Sequence, residues 1–293
     1  MTTSPSLTTP SARLGAGTPR LSLNRWSLRT TPLQEFLEAT TARGIDAVGL
    51  WRQDIAEVGL DALRRRVDDA GLRVSSLCRG GFLTASVEAD RAEALADNRR
   101  AIDETAALGA PTLVMVVGGI TQEDKDLAAA RARVTESIAM LAPYAKSAGV
   151  TLALEPMHPM FAADRAVLST LGQALDVAEA SGSDAVGVIV DTYHVWWDPA
   201  LEQSIARAGA GGRLLSYQVC DWNLPLAADP LFSRGYMGDG FIDFPSITRM
   251  VTAAGYTGDI EVEIFNEDVW ATPADESAKI IAERFEQLVL PHA

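Results

Sequence analysis

Histidine and cysteine are scarce in this chain, with three and two in 293 residues. The cysteines, Cys78 and Cys220, sit inside apolar runs without metal-type spacing, so they read as buried free thiols and point to a reducing cytoplasm. No run approaches the roughly eighteen uninterrupted apolar residues of a membrane span. The first residues, MTTSPSLTTPSARLGAGTP, lack the apolar stretch of a secretory signal and are expected to form a loose tail up to about Arg20. Basic residues are outnumbered, 25 against 39, which gives a net charge of −14. That sign disfavours nucleic acid and anionic membranes as partners. No predicted strand is followed by G-x-G-x-x-G or a P-loop, and Val117-Gly118-Gly119 is too short to stand in for either.

What is present is regular. Hydrophobic residues make up 47% of the chain and charged ones 22%, ample for a large core. From Leu21, short β-type runs alternate with longer amphipathic ones. The predicted strands are 21–28, 45–51, 73–80, 112–119, 151–156, 186–191, 214–221 and 260–265. Helical patterns lie between them, several ending on a glycine suited to a left-handed cap: Gly44, Gly71, Gly109, Gly149, Gly182 and Gly255. Eight strand–helix units with apolar strands predict a single (β/α)8 barrel over residues 21–293. An open doubly wound sheet is the alternative, and it lacks its phosphate-binding motif.

Four oxygen-bearing side chains fall at or near the ends of successive runs: Glu155 in LALEP, Asp191 in VIVDTYH, Gln218 in LLSYQVCDW and Glu263 in IEVEIF. Barrel active sites lie where strands run into their following loops, and inward residues of neighbouring strands can meet there. Carboxylates are costly in an apolar interior unless something neutralises them, so their convergence implies a cation. Oxygen donors of this kind suit Mn2+ or Mg2+, with Co2+ also accommodated.

On LALEPMHPMF, VDTYHVWWD, RGYMGDGFIDFPSI and AAGYTGDIEVEIF, the chain from about Leu21 to about Leu290 resembles the xylose-isomerase-like TIM barrels. The likeness is to the sugar isomerase and epimerase branch, with its ketose 3-epimerases and inosose enzymes. The resemblance implies a metal held at the positions of Glu155, Asp191, Gln218 and Glu263, where Gln218 replaces a customary histidine. It further implies that Glu155 and Glu263 act as the acid/base pair on opposite substrate faces, that His194 faces the substrate, and that Arg234 binds a substrate oxygen. His158 is expected to orient the loop after Glu155. Related barrels also form dimers or tetramers, so a homo-oligomer is consistent with it.

The implied chemistry is proton abstraction next to a carbonyl through an enediolate, the substrate being a small sugar or keto-sugar. Trp51, Trp196 and Trp222, with Trp26 and Trp197, are candidates for a sugar-binding wall. Arg52, Arg79 or Arg234 could receive a phosphate, though an unphosphorylated polyol is favoured because no glycine-rich anion nest stands out. A lyase acting on 3-keto-glycosides or keto-inositols would share the first step. A non-catalytic sugar-binding barrel would need no metal. Abasic-site endonuclease chemistry needs a histidine-rich three-metal cluster, against which three histidines and the acidic balance both speak.

Overall fold

The computed structural model describes residues 18–293. The tail expected at the N-terminus lies outside them up to position 17. Its last residues are tied down: the Thr18 hydroxyl donates to Glu286 (2.8 Å), and Arg20 donates to the Gly258 and Tyr256 carbonyls.

Eight parallel strands close into a barrel: β1 (Leu21–Asn24), β2 (Ala47–Trp51), β3 (Arg73–Gly81), β4 (Thr112–Val116), β5 (Thr151–Leu154), β6 (Val186–Asp191), β7 (Leu214–Val219) and, last in the chain, Ile260–Val262. A two-residue antiparallel ribbon, β8 (Asp221–Trp222) with β9 (Arg234–Gly235), stands outside the barrel, so the strand Ile260–Val262 is β10. It pairs with both β1 and β7 and closes the ring. Helices between the strands bury residues such as Phe36, Leu63, Ile102, Ile138 and Phe285 against it.

Most differences from the predicted runs are at their ends. The first strand stops at Asn24, whose side-chain oxygen accepts from the Trp26 amide and turns the chain into a 3-10 segment, Arg25–Leu28. β5 and β10 stop one residue before Glu155 and Glu263, so both glutamates lie where strand gives way to loop. All six glycines expected at helix ends have positive φ, between +65° and +87°.

The barrel interior is not uniformly apolar. Pleating places Glu261 of β10 inward, 2% exposed. Its carboxylate accepts from Asn24 Nδ2 (2.7 Å), Ser75 and Ser76 Oγ (both 2.8 Å) and Gln218 Nε2 (3.0 Å). Four donors from three other strands thereby hold one buried charge, the condition under which such a charge is tolerated. Gly49 of β2 leaves the space: a Cβ there would lie 2.5 Å from the Glu261 carboxyl carbon. Gly49→Ala is therefore expected to destabilise the protein by about 1–3 kcal/mol through overpacking. Gly172→Ala, where a Cβ meets nothing nearer than 3.6 Å, should be neutral or slightly stabilising. Urea denaturation of the two variants checks the contrast, and equal midpoints would contradict it.

Candidate active site

One turn above Glu261, the strand ends bring together a second set of buried polar groups. Glu155, Asp191 and His194 present ligand atoms all within 4.8 Å of one another. Asp191 ends β6 and also caps the short helix Thr192–Val195, accepting from the Tyr193 amide at 2.8 Å; that turn brings His194 back over the carboxylates. His194 Nε2 lies 3.5 Å from Glu155 Oε1 and 3.8 Å from Asp191 Oδ2. Its Nδ1 lies 3.3 Å from the His158 amide and its Nε2 3.0 Å from Arg234 Nη2, and a neutral ring accepts from only one of these two donors.

Arg234, 1% exposed, lies across this group. Its Nη1 is 2.9 Å from Asp191 Oδ2 and 3.4 Å from Glu263 Oε2, and Nη2 is 3.0 Å from His194 Nε2. The ribbon β8–β9 carries the guanidinium to this position, pairing Trp222 with Arg234. Asp221 anchors the loop that follows. Its two oxygens accept from the amides of Trp222, Gly238, Gly240 and Ile242 at 2.8–3.0 Å.

Burial, reinforced by Asp191 alongside, pushes Glu155 up to about 8 against the pull of Arg234. Burial likewise raises Asp191 and carries Glu263 well above the ordinary range. Desolvation, with Arg234 adding to it, depresses His194 far below its usual value, so the ring is neutral. Three buried carboxylates thus have one close guanidinium among them, so negative charge is in excess at this centre. A divalent ion there reverses these shifts by stabilising the ionised oxygens.

The donor set fits a hard divalent ion. Glu155 and Asp191 supply carboxylate oxygens within 4.8 Å of one another and of His194, and Glu263 lies across Arg234 Nη1 from Asp191. Gln218 sits beside Asp191 across β6–β7; its Nε2 is taken by Glu261, while its buried Oε1 has no hydrogen-bond partner. An orphaned amide oxygen at this level is the kind of group a cation would satisfy.

The centre floors a cavity of about 220 Å3, lined by Glu155, Glu263 and Arg234 and by Trp51 with Trp26, Phe265, Arg79 and Arg165. Trp26 and Trp51 stack with centroids 4.2 Å apart. His194, Trp196 and Trp222, expected to face the substrate, and His158, expected to orient the loop after Glu155 and to contact the substrate, do not line this cavity. Trp222 stacks on Tyr193 (4.7 Å) and packs against His158 (5.0 Å) and Trp196, behind the centre, because the β8–β9 ribbon turns its ring toward the helix Thr192–Val195. Both cysteines are free and buried; desolvation, with Glu263 adding to it, raises the Cys78 thiol well above its usual value, leaving it protonated and unreactive on the cavity wall.

Two buried acids of the neighbourhood, Glu261 and Asp221, went unassigned in the sequence. The period-two spacing of Glu261 and Glu263 in IEVEIF was a readable signal for the first. Asp221 had only its place in CDW before a glycine-rich loop.

A closed parallel barrel with buried carboxylates at the carboxyl ends of its strands defines the class as a (β/α)8 barrel with an acidic centre where such barrels carry their active sites. Residues 37–287 match the family described as Xylose isomerase-like TIM barrel, and the chain belongs to that family. An L-ribulose 3-epimerase of Mesorhizobium japonicum is 30% identical over 255 residues, 83% of this chain and 80% of that protein. An inosose isomerase of Halalkalibacterium halodurans is 22% identical, covering 91% of this chain and 94% of its own. A 3-dehydroshikimate dehydratase of Pseudomonas putida is 26% identical over 84% of this chain but only 38% of its own length. A crystal structure from Sinorhizobium meliloti 1021 is 46% identical, covers 93% of this chain and 99% of that one, and superposes with a TM-score of 0.90. The curated relatives are enzymes, named as epimerase, isomerase and dehydratase. No helix among the described residues is long and apolar enough to cross a membrane.

Replacing Arg234 with leucine leaves Asp191 buried beside two further carboxylates without its ion pair. The metal-free variant is expected to lose about 3–5 kcal/mol of stability. Urea denaturation in chelator measures this, and a loss below 1 kcal/mol would show the pair to be unimportant.

Proposed function

We propose that this protein is a divalent-metal-dependent isomerase or epimerase of small sugars or keto-polyols, acting by proton abstraction next to a carbonyl. The observation that carries the reading is the set of buried acids at the strand ends: Glu155 and Asp191 lie with His194 within 4.8 Å of one another, Asp191 and Glu263 both flank Arg234 Nη1, and Glu155 and Glu263 line the cavity. Glu155, Asp191, Glu263 and the orphaned oxygen of Gln218 would hold Mn2+ or Mg2+, with Co2+ an alternative occupant. A bound ion supplies Lewis-acid polarisation, which acidifies the neighbouring C–H.

The chain's own residues do the rest. Glu155 and Glu263 reach the cavity from non-adjacent strands, β5 and β10, and so approach a bound substrate from different sides. One carboxylate removes the α-proton and leaves an enediolate; the other, protonated, delivers a proton to the opposite face or to the neighbouring carbon. His194, neutral and with Nε2 toward Glu155, keeps that carboxylate oriented. Arg234 spreads positive charge over the floor and donates to a substrate oxygen. Trp51, with Trp26, offers an apolar face to the substrate's C–H surface. The name of the dehydratase relative favours a second reading, elimination of water after the same proton abstraction.

Deuterium uptake from D2O, screened across ketoses, inososes and 3-keto-sugars with added Mn2+, reports the shared first step. Glu155→Gln and Glu263→Gln should each lower that exchange at least about a hundredfold while leaving the circular dichroism spectrum unchanged. Full exchange in either variant would remove it from the acid/base role. Mn2+ at about a hundred times its dissociation constant should stabilise the chelator-treated protein by about 2.7 kcal/mol; an unchanged melting temperature would argue against the ion.

A further inference from the structure

Three guanidinium groups bear on the cavity wall, and two are committed. Arg234 is held by Asp191, and Arg165 pairs with Asp229 at 2.6 Å. Arg52, just outside, is clamped by Asp97 (2.8 Å) and Glu104 (2.6 Å). Arg79 differs. Among the described residues it has no carboxylate within ion-pair distance and no hydrogen bond, and its Nη1 is buried without a partner. Its Cζ lies 4.2 Å from the Phe82 ring centroid. Stacking of that kind uses the face of the guanidinium and leaves the in-plane N–H donors available.

The backbone under Arg79 is fixed. Asn98 accepts from the Gly81 amide (2.7 Å) and donates to its carbonyl (2.8 Å). Gly81 has φ +122°, and a Cβ there would run into the Val116 carbonyl, so glycine is required at this strand end. The side chain therefore leaves a rigid strand, already directed at the cavity.

The geometry points to Arg79 as an anion subsite: the substrate carries a carboxylate on a hydroxylated ring or chain, bound by this guanidinium while the reacting carbon lies over Glu155 and Glu263. This rests on the reading of the cavity as a substrate site. A planar carboxylate matches the free edge of a guanidinium. A phosphate suits the wall less well. No lysine lines the cavity among the described residues, and Glu155, Asp164, Asp229 and Glu263 on its walls repel a dianion more strongly than a monoanion.

The test compares three probes by calorimetry on Mn2+-supplemented protein: myo-inositol, quinate (a hydroxylated cyclohexane with a carboxylate) and myo-inositol 1-phosphate. Quinate should bind at least about tenfold tighter than myo-inositol, equivalent to about 1.4 kcal/mol. Arg79→Gln should erase that preference and leave the myo-inositol affinity within about twofold. Arg52→Gln, outside the cavity, should keep the preference. Equal affinities in the wild type, no binding of quinate, or a parallel loss of both ligands in Arg79→Gln would each overturn the assignment. Tighter, Arg79-dependent binding of the phosphate ester would overturn the choice of carboxylate. None of the probes has a ketone or aldehyde, so binding is read without proton exchange, and failure of the Arg79 assignment is distinguishable from failure of the exchange reaction.

Discussion

Everything at the mouth of this barrel is organised around an excess of buried negative charge. Glu155, Asp191 and Glu263 are withdrawn from water, and one close guanidinium, that of Arg234, answers them. In a medium of low polarisability that imbalance drives the carboxyl groups toward their protonated forms, the direction in which all three are displaced. The same imbalance is what the proposed cation would relieve, and its relief would return the carboxylates to the ionised form in which they can act as bases. The β8–β9 ribbon and the Asp221-anchored loop are explained by this need, since they hold Arg234 where packing alone would exclude it.

Much of this was legible in the chain, because it rests on short-range regularities. Alternation of apolar strands with amphipathic helices specifies a parallel sheet, and eight units specify closure. Glu155, Asp191, Gln218 and Glu263 stood out because each ended an apolar run. What the sequence did not reveal depends on long-range pairing. Glu261 finds its four donors on β1, β3 and β7, and Asp221 finds its amides across a loop. The tryptophans show the limit well. Trp51 and Trp222 both sit at strand ends, yet Trp51 lines the cavity while Trp222 turns behind the centre onto Tyr193. Nothing within a few residues of either distinguishes them; the direction of the β8–β9 ribbon does.

The three arginines open to phosphate binding in the sequence are separated by their neighbours in the same way. Arg52 is neutralised by Asp97 and Glu104 on the helix Glu88–Ala107, and Arg234 by the centre itself. Arg79 lies between them in space and has neither kind of partner. A buried donor without an acceptor works against folding, and such groups persist where a ligand completes them.

Gln218 joins the two polar layers of the barrel, and its chemistry shows how one supports the other. An amide has a donor end and an acceptor end, and the carboxylate of Glu261 accepts only. Glu261 therefore fixes which end of Gln218 faces it: Nε2 is consumed, and Oε1 is the atom left unpaired, on the residue paired with Asp191 across β6–β7. A histidine at this position would offer a nitrogen, a softer donor, to the centre. With glutamine the donors proposed from β5, β6, β7 and β10 would all be oxygens, a set that suits harder ions. The interior charge at Glu261 thus does more than fill the barrel. By orienting one amide it determines that an oxygen is the atom Gln218 has left to offer.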